Sequence, residues 1–355
     1  MFGERLKRAR SAAGLSMKEL SLQAGVSANM IKKYEHDESM PSSGVLIKMS
    51  RALGVRNEYF FRPTKYELKG IEYRKRSSTP TKMLNRIKAD VLDQAERWME
   101  LSNLWPNFPV PEFTKLSFSI SHIDEYAQIE VIANELRGVW ELGSQPIASI
   151  IDVLECHGII VIVTDVDTTE KFDGCQASVG NTPIIVISSK WSGDRQRFTL
   201  AHELGHLILH GMLNASLDEE KACNRFAGAF IFPETSVRQA LGVSRRNLEV
   251  QELYLLKMDF GLSMMATIYR AADLAIINDT KRKELFMFFS MRKWRSQEPG
   301  EPYPAETTSL FKQLVFRGLG ENIISESKAA ELLGMSLVSF HNMRKLVGPD
   351  VNFNQ

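Results

Sequence analysis

Apolar residues recur at three- and four-residue spacing through most of the chain. The pattern predicts a largely helical protein interrupted by one short block of strands. Near the N-terminus, residues 5–12 read as a short basic amphipathic helix closed by Gly14. Ser16-Met-Lys-Glu19 has capping-box form, in which the Ser16 hydroxyl accepts from the Glu19 amide while Glu19 reaches back. A helix follows to Gln23, Ala24-Gly25-Val26 turns the chain, and Ser27 caps a helix over 28–35. Leu20, Ala24, Val26 and Ile31 supply a small core, joined by Leu46, Leu53, Val55 and Phe60 from later helices. Two short helices joined by a glycine-containing turn have the form of a helix-turn-helix.

Further along, residues 82–104 read as one amphipathic helix with Leu84, Ile87, Val91, Ala95, Trp98 and Leu101 at near-heptad spacing. Such a stripe serves either as a dimerisation seam or as a spacer packed on the neighbouring domain. The need of a helix-turn-helix to span two half-sites favours the seam. The basic cluster Arg74-Lys75-Arg76 before it is a solvated face or a phosphate contact. Helices are predicted over 123–142 and 145–156, then strands over 159–163, 172–181 and 183–188. A helix follows over 198–210, with Leu200, Leu204, Leu207 and Ile208 on its buried stripe and Gly211 as its stop. Another spans 262–277. Residues 324–341 repeat the helix, Gly turn and Ser-capped helix pattern, as a second helix-turn-helix or, the favoured reading, as a dimerisation or capping hairpin.

Composition narrows the function classes. A length of 355 residues accommodates two or three domains, and a formal net charge of +1 leaves any nucleic-acid binding to local patches. Cys156, Cys175 and Cys223 lack CxxC spacing, which argues against a disulfide framework. No apolar run reaches membrane-spanning length, so the expectation is a cytoplasmic protein without membrane contact.

The chemistry concentrates in one stretch. His202-Glu203-x-x-His206 places two imidazoles four residues apart, on one helix face, where both can meet one metal ion. Glu203 lies beside that face, positioned to take a proton from water activated at the ion. A catalytic zinc needs a third protein ligand. Downstream, Glu220 and Asn224 are four apart and share a helical face, with Phe226, Phe230 and Phe232 on the other side. His210 falls two turns from His202 and reads as structural, and Cys175 reads as a small buried residue rather than a thiolate ligand. Tyr254 is one of several residues that could steady an oxyanion.

Two family resemblances carry these residues further. Residues 3–61, through Leu6, Arg10, Leu15-Ser16, Glu19-Leu20, Ala24-Gly25-Val26-Ser27, Tyr34-Glu35 and Leu53-Gly54-Val55, resemble the Cro/CI-type (XRE) helix-turn-helix. The resemblance implies that Ser27, Asn29, Lys32 and Lys33 read bases or clamp phosphate on a double-stranded DNA operator. Met17 departs from the pattern, standing where the family often carries Gln. Residues 120–280, through Arg197-Phe-Thr-Leu-Ala-His-Glu-Leu-Gly-His206, Glu220-x-x-x-Asn224-x-Phe226-Ala227 and Pro233, resemble the ImmA/IrrE metallopeptidases. That resemblance implies a gluzincin-like site with Glu220 as third ligand and Asn224 orienting a ligand histidine. Glu219 is the alternative ligand, without a partner four residues on. Zn2+ is the implied ion, with Mn2+ or Fe2+ as substitutes.

The expected fold class is a multidomain α+β protein. An all-α helix-turn-helix domain spans residues 1–63 and a basic, helical linker, with a dimerisation role, spans 64–118. A zincin-like (gluzincin-type) α+β peptidase domain spans 119–280, and a helical C-terminal region spans 281–355. The implied function is a homodimeric DNA-binding transcriptional regulator with a fused zinc-dependent endopeptidase. Its protein substrate is a repressor, or the chain itself, in a stress, phage or mobile-element circuit. The rival is a non-enzymatic regulator that uses the zincin fold as a metal or ligand sensor. Glu203 separates them, because a pure sensor has no need of it.

Overall fold

The computed structural model describes residues 2–62, 66–73, 81–165 and 172–346; the Arg74-Lys75-Arg76 cluster lies outside them. The chain opens with α1 (Phe2–Ala12), α2 (Met17–Ala24), α3 (Ala28–Glu35) and α4 (Ser43–Leu53), closed by a 3-10 turn over Asn57–Phe61. The caps read from the sequence are formed. Glu19 N donates to Ser16 Oγ at 3.2 Å, Ser16 N donates to Glu19 Oε2 at 2.6 Å, and Met30 N donates to Ser27 Oγ at 3.2 Å. Leu6, Leu20, Ala24, Ile31, Met49 and Phe60 are buried together, and Met17 packs half-buried against them. This unit docks on the rest of the chain through charge. Buried Arg5 and the neighbouring Arg8 both bind Glu96, and Arg62 Nε reaches Glu331 at 2.8 Å.

Next come β1 (Leu68–Tyr73), α5 (Thr81–Leu104), α6 (Gln128–Val139), α7 (Ile150–Cys156), β2 (Ile160–Thr164), β3 (Gly174–Val179) and β4 (Thr182–Ser188). The four strands form one mixed sheet in the order β1-β3-β4-β2. β2 runs parallel to β4, while β3 is antiparallel to both β4 and β1. Three strands fall where the apolar runs place them. The fourth, β1, arises from the stretch read as linker, and its register shifts between Lys69 and Glu72, which breaks the alternation that would have marked it.

Six helices follow: α8 (Gly193–Leu209), α9 (Glu219–Ile231), α10 (Glu234–Leu241), α11 (Val250–Phe260), α12 (Met264–Asp273) and α13 (Asp279–Met291). They build the main core on one sheet face, against Val161, Ile185 and Ile187. Glu130 on α6 ties this layer together by receiving Arg270 and Arg225, the latter through Nε at 2.7 Å. A strap over residues 292–309 then crosses the layer. Along it, Glu298 accepts from the Met264 and Met265 amides at 3.0 Å, capping α12. Glu306 accepts from the Ile150 and Ile151 amides at 3.3 and 3.2 Å, capping α7.

The last helices, α14 (Leu310–Gly320), α15 (Glu326–Leu332) and α16 (Leu337–Arg344), return to the other sheet face. There Ile87, Val91, Ala95, Trp98 and Leu101 of α5 are buried with Ile160, Ile162, Ala177, Ile184 and Val186, under Leu314, Ala330, Leu332 and Phe340. The near-heptad stripe, favoured as a dimer seam, is therefore consumed inside the chain and acts as the packed spacer. Meeting a face of its own chain spares it the translational and rotational entropy lost in association. The hairpin α15–α16 covers the same face, as the capping reading expects. Among the described residues, no helix is long and apolar enough to cross a membrane.

Candidate metal centre

Helix α8 is buried on nearly every side, with Leu200, Ala201, Leu204 and Ile208 in the core. It ends at Leu209, just before Gly211, whose backbone takes the left-handed conformation, and exposed His210 lies at that end. Arg197, fully buried, anchors the helix from below through Glu306 on the strap and through the Ile147 carbonyl at 2.7 Å. Helix α9 starts at Asp218, whose side chain accepts from the Lys221 amide at 3.0 Å. It crosses α8 at Gly205, where a Cβ would lie 3.2 Å from Phe226 and 3.3 Å from Cys223. The missing side chain lets the two helices approach closely, which brings Glu220 to the histidines.

Among the described residues, the ligand atoms of His202, His206 and Glu220 all lie within 4.8 Å of one another. The two Nε2 atoms are 3.1 Å apart, and Glu220 reaches His202 at 3.5 Å and His206 at 3.6 Å. A tetrahedral zinc with bonds of ~2.0–2.1 Å holds neighbouring ligand atoms roughly 3.3 Å apart. The two imidazole nitrogens and the two Glu220 oxygens stand within a few tenths of an ångström of that spacing, so the donor set fits the ion. Both rings are also oriented from behind. His202 Nδ1 meets Asn224 Oδ1 at 2.9 Å, and His206 Nδ1 meets Glu219 Oε1 at 3.0 Å. With an oxygen acceptor behind each ring, both imidazoles can donate from Nδ1 and offer Nε2 to an ion.

Comparison with known proteins now adds to the geometry. Residues 154–272 match the IrrE N-terminal-like domain, a peptidase family, and residues 3–64 match a helix-turn-helix domain. The chain joins a helix-turn-helix domain to an IrrE N-terminal-like domain. The helix-turn-helix region is also similar to an uncharacterized helix-turn-helix-type transcriptional regulator, YonR, from the SPbeta prophage of Bacillus subtilis (strain 168). The two are 34% identical over 64 residues, 18% of this chain and 59% of that regulator, so the chain covers little more than half the length of the relative. A helix-turn-helix domain implies DNA binding.

Within the IrrE N-terminal-like domain, Glu203 is 3% exposed and lies under the start of β3. A Cβ at Gly174 would come 2.5 Å from Thr199 Cγ2 and 3.8 Å from Glu203 Oε1, so only glycine lets the strand pass so close to the helix. Cys175 follows, buried, and its thiol is held far above the ordinary range by burial and then by the Glu203 carboxylate. Its burial accords with the packing role read from the sequence. Tyr254 packs against Gly300 on the strap. A cleft of about 1000 Å³ opens beside the centre, lined by Phe198 and Asn224, by Arg195 and Arg225, and by Tyr269 and Glu298 across from them.

In the helix-turn-helix domain, Ser27 at the N-cap of α3 and Asn29, Lys32 and Lys33 on the helix are all exposed. The Ser27 hydroxyl is engaged as the helix cap, so its role there is to fix the start of the helix that carries the other three. Glu219, the alternative ligand by sequence, instead stands behind His206, against its Nδ1. Its place in the first turn of α9, next to Glu220, was the available signal.

Proposed function

We propose that the chain is a DNA-binding transcriptional regulator whose second module is a zinc-dependent endopeptidase of gluzincin type. The observation that carries this reading is the convergence of His202, His206 and Glu220 beside buried Glu203. Those three side chains would hold Zn2+, with Mn2+ or Fe2+ as substitutes. Bound there, the ion supplies a Lewis acid and brings the pKa of water towards ~7. Glu203 takes the proton of the attacking water on its carboxylate and passes it to the departing amide nitrogen. Asn224 and Glu219 keep the two imidazoles turned towards the ion throughout. The cleft beside α8 receives the polypeptide and excludes bulk water from it.

On α3, Asn29, Lys32 and Lys33 contact the operator, Asn29 through a base edge and the lysines through guanine or phosphate. Two copies are needed to span two half-sites, so the regulator acts as a homodimer. Its substrate is a repressor, or the chain itself, and cleavage switches transcription. The likeness to a prophage-derived regulator supports a phage or mobile-element setting.

The test compares wild-type and Glu203→Gln chains in identical host cells, with bound metal measured in both and new protein termini mapped by mass spectrometry. Termini seen only with wild type name the substrate, and the rate should fall about 10²–10⁴-fold in the variant. Matched termini at matched metal content would overturn the peptidase and leave the fold as a sensor.

A further inference from the structure

Strand β3 borders the metal centre at its N-terminal end. Gly174 lies against Thr199 and Glu203. The two residues before it are pinned to the wall of the cleft, where Trp191 donates to the Phe172 carbonyl at 2.8 Å and Arg195 Nε donates to Asp173 at 3.0 Å. One side of β3 pairs with β4 inside the sheet. The other side starts beside Glu203 at Gly174, and with no further strand would be an open edge. An open edge is a template for any extended peptide, because its amides and carbonyls are ready to pair.

In this chain the edge is taken. β1 lies along it antiparallel, from Leu68 opposite Val179 to Tyr73 opposite Cys175, one position short of Gly174. Its hold is slight. Leu68 is half-buried and Tyr66 accepts from Asn103 Nδ2 at 2.6 Å, while Lys69 and Gly70 are exposed and the register shifts before Glu72. Edge pairing broken by a register shift can be exchanged for another strand of similar quality.

We infer that β1 is a resident competitor for the strand-docking edge of the metal centre, so that an extended polypeptide substrate enters only as β1 leaves. The inference rests on the endopeptidase reading, to which it adds the substrate class: an extended segment that can replace Leu68–Tyr73 on β3. It also couples the modules, since β1 begins a few residues after the 3-10 turn that closes the helix-turn-helix unit.

The test is a reversible lock on the full chain. Lys69 and Ser178 are paired across the two strands, and Lys69→Cys with Ser178→Cys would tie β1 down when oxidised and free it when reduced. In a zinc-loaded Glu203→Gln background, capture of a fluorescent synthetic peptide with the sequence of residues 66–73 is followed by anisotropy. The reduced form should bind at least about tenfold more tightly than the oxidised form, because a blocked edge lowers the competent fraction. A chain with residues 66–73 replaced by an equal length of Gly and Ser should bind most tightly. Equal capture by locked and reduced forms, or capture by none, would overturn the inference. Hydrolysis is then measured with Glu203 intact. Lock-dependent capture with no cleavage in any metal-loaded form would keep the resident strand and sink the peptidase reading instead.

Discussion

The helix-turn-helix unit and the metal centre solve opposite problems. The first displays the groups proposed to meet DNA: Asn29, Lys32 and Lys33 stand in solvent on one short helix whose shape depends on caps a few residues away. The second hides its groups: His202 and Glu203 are buried, and their positions depend on α9, on β3 and, through Arg197, on a strap a hundred residues downstream. A displayed site is tuned by its own side chains and tolerates change nearby. A buried site is tuned by whatever holds it, so the consequential residues extend well beyond those that would touch the ion.

Mutations can sharpen that contrast. The largest effect is expected behind the imidazoles. Glu219→Ala and Asn224→Ala should each weaken zinc binding about 10–100-fold by releasing a ring from its orientation. Operator affinity should stay unchanged, and both quantities can be titrated on one preparation. Conversely, Asn29→Ala should cost about 1–3 kcal/mol of operator binding through a lost base contact. Metal content and thermal midpoint should not move, because the side chain stands in solvent.

A subtler difference concerns pH. Burial, followed by the nearby Asp152, pushes the Glu155 carboxyl from its ordinary 4.5 up to about 8. The folded chain therefore keeps this proton after the unfolded chain has released it. The stability it confers is complete below pH 4.5, is lost as pH rises through that window, and changes no further above about 8. Between pH 6 and pH 7, wild type should lose up to about 1.4 kcal/mol more than Glu155→Gln, read as a difference in thermal midpoint shift. No comparable drift should come from mutating the exposed residues of α3.

The same contrast explains what could be read from the sequence. The capping box at Ser16 and Glu19, the Ser27 cap and the His202–His206 spacing are local, so a few residues suffice to specify them. Glu220 needed a resemblance as well, because a helix face alone does not say what it faces. The destination of the α5 stripe was not legible: Val91 and Trp98 look alike whether their partner is a second copy or the chain's own sheet. Nor was β1, whose bulge removes the two-residue alternation and whose pairing partner lies a hundred residues away. Glu298 and Glu306 gave no signal at all, since a glutamate in a Pro/Gly-rich loop is usually solvated.

Those two glutamates have a consequence for where the peptidase-like unit ends. The family match stops at residue 272, inside α12, whereas the anions that cap α12 and α7 lie beyond it on the strap. A fragment cut at that boundary would lose both caps, at about 1 kcal/mol each. It would also leave buried Arg197 with carbonyl acceptors but no carboxylate to balance its charge, a defect costing up to about 3–5 kcal/mol. Together these approach the ~5–15 kcal/mol that separates a folded domain from its unfolded chain. The length by which the domain is recognised is thus shorter than the length it needs to exist, and excising it at its recognised border is expected to yield an unfolded polypeptide.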